Sequence, residues 1–114
     1  MNVQDLLLAI QQFNRKDFFK CHEILEDIWF DVRDKSRDFY RGLLHITVGF
    51  YHLNNKKNPA GALIQLNKAL SRFEDFGENF KGVNLKVLRV QTLKIISRLQ
   101  KNDLPKRFPK ITID

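Results

Sequence analysis

The stretch DFFKCHEILEDIWF, residues 17–30, decides the fold. Phe18, Cys21, Leu25, Ile28 and Trp29 recur at the three- and four-residue spacing of one helix face, while Lys20, Glu23 and Asp27 fall on the other. Asp17 stands where a carboxylate accepts the first free backbone N–H groups of a helix, so a helix is expected from about there to Phe30. The same period returns on both sides. Leu6, Leu7, Ile10 and Phe13 mark an earlier helix from about Val3 to Phe13, and Asn14 to Lys16 interrupt it. Beyond the polar run Asp31 to Lys35, Ser36 is expected to cap a third helix reaching about Leu53, with Phe39, Leu43, Ile46, Phe50 and Leu53 inside. Gly42 and Gly49 lie on that helix. Each costs about 1 kcal/mol against Ala in a helix interior, so a neighbouring helix is expected to approach closely at both.

Asn54 to Asn58 reads as a loop, and Pro59 suits the first turn of a fourth helix through Ala62, Leu66, Ala69, Leu70 and Phe73. After the stretch Glu74 to Gly82, a fifth helix is expected from about Asn84 to Gln100; Pro105 and Pro109 then exclude a helical tail. Sliding the chain by 41 positions lays Asp17 on Asn58, Cys21 on Ala62, Leu25 on Leu66 and Ile28 on Ala69. The fold class expected is therefore all-α, about five helices arranged as stacked antiparallel hairpins, loosely like tetratricopeptide repeats. Residues 1–104 form a single helical domain in this reading, and 105–114 a basic tail.

Composition agrees with that architecture. The 114 residues, 43% hydrophobic and 29% charged with 5 Gly and 3 Pro, fit one compact domain and exclude disorder or a strand-rich sandwich. The longest apolar run, Leu6 to Ile10, is far below the ~20 residues that span a bilayer. The one cysteine, Cys21, has no internal disulfide partner and no secretory leader is recognisable, so an intracellular compartment is expected. The net charge of +7 is localised: up to Phe80 there are 11 basic and 11 acidic residues, and from Lys81 onward 9 and 2. Lys94, Arg98 and Lys101 form an outer stripe continued by Lys106, Arg107 and Lys110. That segment is a candidate surface for an acidic protein partner or for nucleic acid, through phosphates alone because Phe108 is the only aromatic there.

Chemistry concentrates on the second and third helices. His22, Glu26 and Trp29 share a stripe that overlaps Phe18 and Leu25, so His22 and Glu26 are expected to face inward and Glu23 to lie nearer solvent. Arg41, His45, Val48 and His52 make a second stripe on the third helix. Two readings follow. In the first, His22, Glu26, Arg41 and His52 form a buried structural polar cluster in a non-catalytic binding or protein-interaction module. In the second, His22, Glu26 and His52, with His45 as a fourth, ligate a divalent metal such as zinc in a metal-dependent hydrolase. Glu23 or Glu26 is then the general base, and Arg37 or Arg41 stabilises developing negative charge. The spacing His-Glu-x-x-Glu is not the His-Glu-x-x-His of zinc peptidases. Cys21 and His22 are adjacent and diverge by about 100°, which excludes a thiol nucleophile with that base. Gly77 and Gly82 stand outside any phosphate-loop signature, which leaves nucleotide hydrolysis without support.

The run Phe13-Asn14-x-x-Asp17-Phe18-Phe19-x-Cys21-His22-Glu23-x-Leu25-Glu26-x-x-Trp29, then Arg37-x-Phe39-Tyr40-x-Gly42-Leu43, Tyr51-His52 and Asn58-x-x-Gly61-Ala62-x-x-x-Leu66, resembles the domain-of-unknown-function family numbered 309. The resemblance covers roughly Leu6 to Phe73. It implies a small all-helical domain of bacteria, archaea and plastid-bearing lineages, with some members labelled metal-dependent hydrolases. His22, Glu23, Glu26, Trp29, Arg37, Gly42, Tyr51 and His52 match the family's motif as they stand, whereas His45 occupies a position where members commonly have Gln. With a composition rich in Lys, Asn and Phe, the expected compartment is the cytoplasm or the plastid stroma.

Overall fold

The computed structural model describes residues 3–114. Among them, α1 (Val3–Asn14), α2 (Phe18–Asp31), α3 (Ser36–Asn54), α4 (Pro59–Phe73) and α5 (Leu85–Gln100) follow one another. A short antiparallel hairpin of β1 (Asn79–Phe80) and β2 (Val83–Asn84) separates α4 from α5. Consecutive helices pack side by side, so the chain is all-α, with helix pairs stacked in order. No described helix is long and apolar enough to cross a membrane.

The helix starts follow from short polar side chains. Asp17 accepts from the Lys20 N–H at 3.2 Å, Asn58 from Gly61 at 3.0 Å and Asn84 from Val87 at 3.0 Å, each satisfying a donor that the helix itself leaves free. The start of α3 differs from expectation. Ser36 lies inside the helix, and Asp34 does the capping by accepting from both the Ser36 N–H at 2.9 Å and its hydroxyl. Those two bonds hold the Asp34 carboxyl below its usual range.

α3 is the central helix, with Phe39, Leu43, Ile46 and Phe50 at most 1% exposed. Phe39 and Phe50 are eleven residues apart, about three turns on one face, and each anchors a ring cluster. Phe50 meets Phe13, Phe18 and Phe108 at centroid distances of 5.9, 6.1 and 5.1 Å. Phe39 meets Tyr40, Phe73, Phe76 and Phe80 at 5.2, 6.3, 6.0 and 4.9 Å. Burying one such side chain contributes about 1.5–3 kcal/mol, so the two clusters dominate the cohesion of the fold. The close approaches expected at the glycines both involve α4: a Cβ on Gly42 would lie 2.5 Å from Cε1 of Phe73, and one on Gly49 2.7 Å from Cδ2 of Leu66. The C-terminal end of α4 is also fastened by Arg89 of α5, whose guanidinium donates to the carbonyls of Phe73 and Phe76, and of Gly77 at 2.8 Å.

Lys81 and Gly82, with φ of 51° and 82°, make the two-residue turn of the hairpin, a turn type whose backbone twist matches paired strands. The last residues pack against this hairpin and against α1. Asn84 donates to the Thr112 carbonyl at 2.9 Å and Asp114 to Gly82 at 2.8 Å. The side chain of Asn14 donates to the Ile111 carbonyl at 3.1 Å and accepts from the Ile111 N–H at 2.8 Å. Ile111 is buried, and Phe108 fills the space beside Phe18 and Phe50.

Candidate functional site

On α2 the buried stripe is Phe18, Cys21, Leu25 and Ile28. Measured from its centre at about 100° per residue, Trp29 lies roughly 60° away, His22 roughly 80°, Glu26 roughly 120° and Glu23 on the opposite side. The inward placement expected for His22 and Glu26 is therefore corrected: their side chains are 35% and 61% exposed, and His22 Nε2 meets Glu26 Oε2 at 3.5 Å on the surface. Both residues flank the core. Glu23 is exposed as expected. Cys21 lies in the core, where burial pushes its thiol up to about 11.

α3 runs antiparallel to α2, as Phe18 beside Phe50, Cys21 beside Thr47 and Trp29 beside Arg37 require. The stripe Arg41, His45, Val48 and His52 points along the seam between α3 and its neighbours, and the histidines divide. His45 and His52 turn to α4, where His45 Nδ1 is 2.7 Å from Gln65 Oε1 and His52 Cδ2 lies against Gly61. His22 remains on α2. His52 Nδ1 is buried without a hydrogen-bond partner. Among the described residues no three His, Cys, Asp or Glu side chains form a group able to hold a metal ion. The structure thus does not gather His22, Glu26, His45 and His52 into one group. The candidate ligands are separated because His22 and Glu26 stand on α2 while His45 and His52 face α4.

What the fold does bring together is Trp29 with the two arginines. The guanidinium of Arg37 lies 3.9 Å from the indole centroid and its Nε donates to the Trp29 carbonyl at 3.3 Å; the guanidinium of Arg41 lies 5.1 Å from the same ring. Cations over an indole face are attracted by its quadrupole, which holds both side chains in place. Trp29, expected in the core, is half-buried and forms the wall of an open cleft of about 390 Å³ lined also by Asp34, Lys35, Asp38 and Arg72. A second hollow of about 400 Å³ shares Asp38, Arg41 and Arg72 with it and adds His45, Lys68, Ser71 and Asp75. Five cationic side chains face three carboxylates along this surface, and Arg72 Nη1 already engages Asp38 at 2.8 Å. Gln65, Lys68 and Arg72 escaped the sequence reading, although their three- and four-residue spacing on α4 opposes Arg41 and His45.

His45 is 9% exposed, and burial lowers its pKa below 6.5, with the charges of Arg41, Arg72 and Lys68 acting in the same direction against the Gln65 bond. The unfolded chain takes up this proton near pH 6.5 and the folded chain only at lower pH, so the contribution is complete above about 6.5 and is lost as the pH falls. Thermal melts of the wild type are expected to show a falling melting temperature between about pH 7 and 5. The fall is expected to be smaller in His45→Gln, which retains an amide towards Gln65; equal pH slopes would refute this role for His45.

On the C-terminal surface, Lys94, Lys101, Lys106, Arg107 and Lys110 are exposed, and Arg98 is paired with Asp103 at 3.0 Å. Phe108 is half-buried and engaged with Phe18 and Phe50.

Comparison with known proteins gives relatives without an assigned activity. The family described as Domain of unknown function (DUF309) matches residues 6–65. An uncharacterized protein of Aquifex aeolicus is 27% identical over 85 residues, 74% of this chain and 25% of that protein. The uncharacterized protein YpuF of Bacillus subtilis is 40% identical over 48 residues, 41% of this chain and 27% of YpuF. The chain thus spans about a quarter of the length of these curated relatives.

Proposed function

We propose, from the premise that the chain belongs to the DUF309 family, that it is a non-catalytic helical binding module whose α2–α3–α4 face receives an acidic segment of a partner protein. The observation that carries this reading is the pair Arg37 and Arg41 held against Trp29 at the mouth of a cleft in which cations outnumber carboxylates. Guanidinium groups present fixed, planar arrays of donors, and partly desolvated ones bind carboxylates with short, charge-assisted hydrogen bonds. Tryptophan and arginine are also the side chains that most often dominate protein interfaces. Asp38 occupies one donor of Arg72 in the free protein and sets the register that an incoming carboxylate would copy.

Trp29 is the single tryptophan of the chain, so its fluorescence reports directly on the cleft. Titration with an acetylated hexaglutamate peptide is expected to change the emission saturably, with affinity falling as salt is raised. In Arg37→Ala/Arg41→Ala the affinity is expected to fall about tenfold or more, the loss typical of truncating charged partners in an interface. No saturable change in the wild type, or an equal affinity in the variant, would overturn the assignment.

A further inference from the structure

A further concavity, of about 210 Å³, opens at the end of the bundle remote from Trp29. Leu53 of its lining and Arg41 of the first cleft are twelve residues apart on α3, a separation of about 18 Å. Three chain segments meet there: the α1–α2 turn brings Lys16, the α3–α4 turn brings Lys57, and the C-terminal segment brings Lys106. Leu53, Leu104 and Phe108 supply apolar surface, and no carboxylate lines the space. Among the described residues, none of the three lysines takes part in an ion pair. Two of the ammonium groups are tethered by uncharged partners. Lys16 Nζ lies 5.0 Å from the Phe108 centroid, and Lys57 Nζ donates to the Asn54 carbonyl at 3.2 Å.

Lys16 and Lys57 have φ of 65° and 51°, the left-handed region in which a residue with a Cβ is strained and in which glycine or asparagine ordinarily follows a helix. Both lysines follow a helix end in that conformation, as Asn102 does after α5, and it fixes where their side chains leave the backbone beside the concavity. Three ammonium groups without a counter-charge suit a dianion better than a single carboxylate, and lysine binds phosphate as a point charge. The leucines and the phenylalanine suit an apolar body attached to it.

We propose that this concavity is a binding site for organic phosphate monoesters, with Lys16, Lys57 and Lys106 around the phosphate dianion and Leu53, Leu104 and Phe108 against its aryl or alkyl group. The site is separate from the Trp29 cleft, and its test is independent of the acidic-partner reading. Phenyl phosphate, inorganic phosphate and phenol are each titrated into the 15N-labelled chain and followed by amide chemical shifts. Saturable shifts are expected for phenyl phosphate at Lys16, Lys57, Leu104 and Lys106, with inorganic phosphate and phenol each about tenfold weaker or more because each supplies half of the recognition. Lys57→Gly is expected to weaken phenyl phosphate by a similar factor while leaving the melting temperature unchanged or higher, since glycine relieves the left-handed residue. Arg41→Ala/Arg72→Ala is expected to bind like the wild type. Shifts centred on the Trp29 cleft, equal affinity for phenyl and inorganic phosphate, or undiminished binding by Lys57→Gly would each overturn the proposal.

Discussion

Replacing Phe39 by alanine is expected to lower the melting temperature by roughly 12–25 °C, the largest loss from any single side chain. The ring is fully buried and contacts four others, drawn from α3 itself, from α4, from the residues after α4 and from β1. Deleting it removes the transfer free energy of the ring and leaves a cavity, together about 3–5 kcal/mol. A domain of this size holds only about 5–15 kcal/mol in total. Collapse into the cavity is opposed on two sides: Phe73 lies against Gly42, and Arg89 fixes the carbonyls of Phe73 and Phe76. Circular dichroism melts of the wild type, Phe39→Ala and Phe39→Leu test this, and a drop of a few degrees in Phe39→Ala would mean that the hairpin folds inward to fill the space. Phe80, only half-buried at the edge of the same cluster, is expected to cost less when truncated.

The second large effect comes from adding atoms. Gly42→Ala gains about 1 kcal/mol of helix propensity, but its Cβ would lie 2.5, 2.8 and 3.0 Å from Cε1, Cδ1 and Cζ of Phe73. Overpacking of this kind costs typically about 1–3 kcal/mol and occasionally more, and a ring between α3 and Phe39 has little freedom to swing aside. The net expectation is a loss of about 1–2 kcal/mol, rising in Gly42→Val, whose branched side chain adds two carbons to the same contact. Gly77→Ala is the internal control, since a Cβ there meets nothing within 4 Å. If Gly42→Ala melted at or above the wild-type temperature, the close packing of α3 on α4 at that point would be wrong.

The helices were legible because each is amphipathic; Asp17 caps α2 as read, while the capping side chains of Asn58 and Asn84 stand at helix starts that the apolar period and Pro59 located without them. Ser36 misled because Asp34, two residues earlier, offers the stronger acceptor. The β-hairpin was missed because strands of two residues leave no alternation to detect, and its only signal was Gly82 between Phe80 and Val83. In the candidate site the residue types were legible but their depth was not. His22 and Trp29 sit at the margin of a stripe, where a helical wheel cannot tell buried from half-exposed, and the partners that resolve the matter arrive from α3. Arg37 and Arg41 were considered as stabilisers of negative charge, and their gathering on Trp29 depends on the antiparallel pairing of α2 with α3. The contribution of α4, through Gln65, Lys68 and Arg72, is a tertiary fact that one strip of sequence does not carry.

The two hydrogen bonds between Asn14 and Ile111 join residues 97 positions apart. On a ribosome adding about 5–20 residues per second, Asn14 waits about 5–20 s for its partner. Throughout that interval the hollow between Phe13, Phe18 and Phe50 lacks Phe108, and a greasy notch faces the crowded surroundings of the nascent chain. The closing of this notch is thus timed by translation itself, and synonymous codons that slow the stretch between Asn14 and Ile111 would prolong the vulnerable phase without altering one atom of the folded chain.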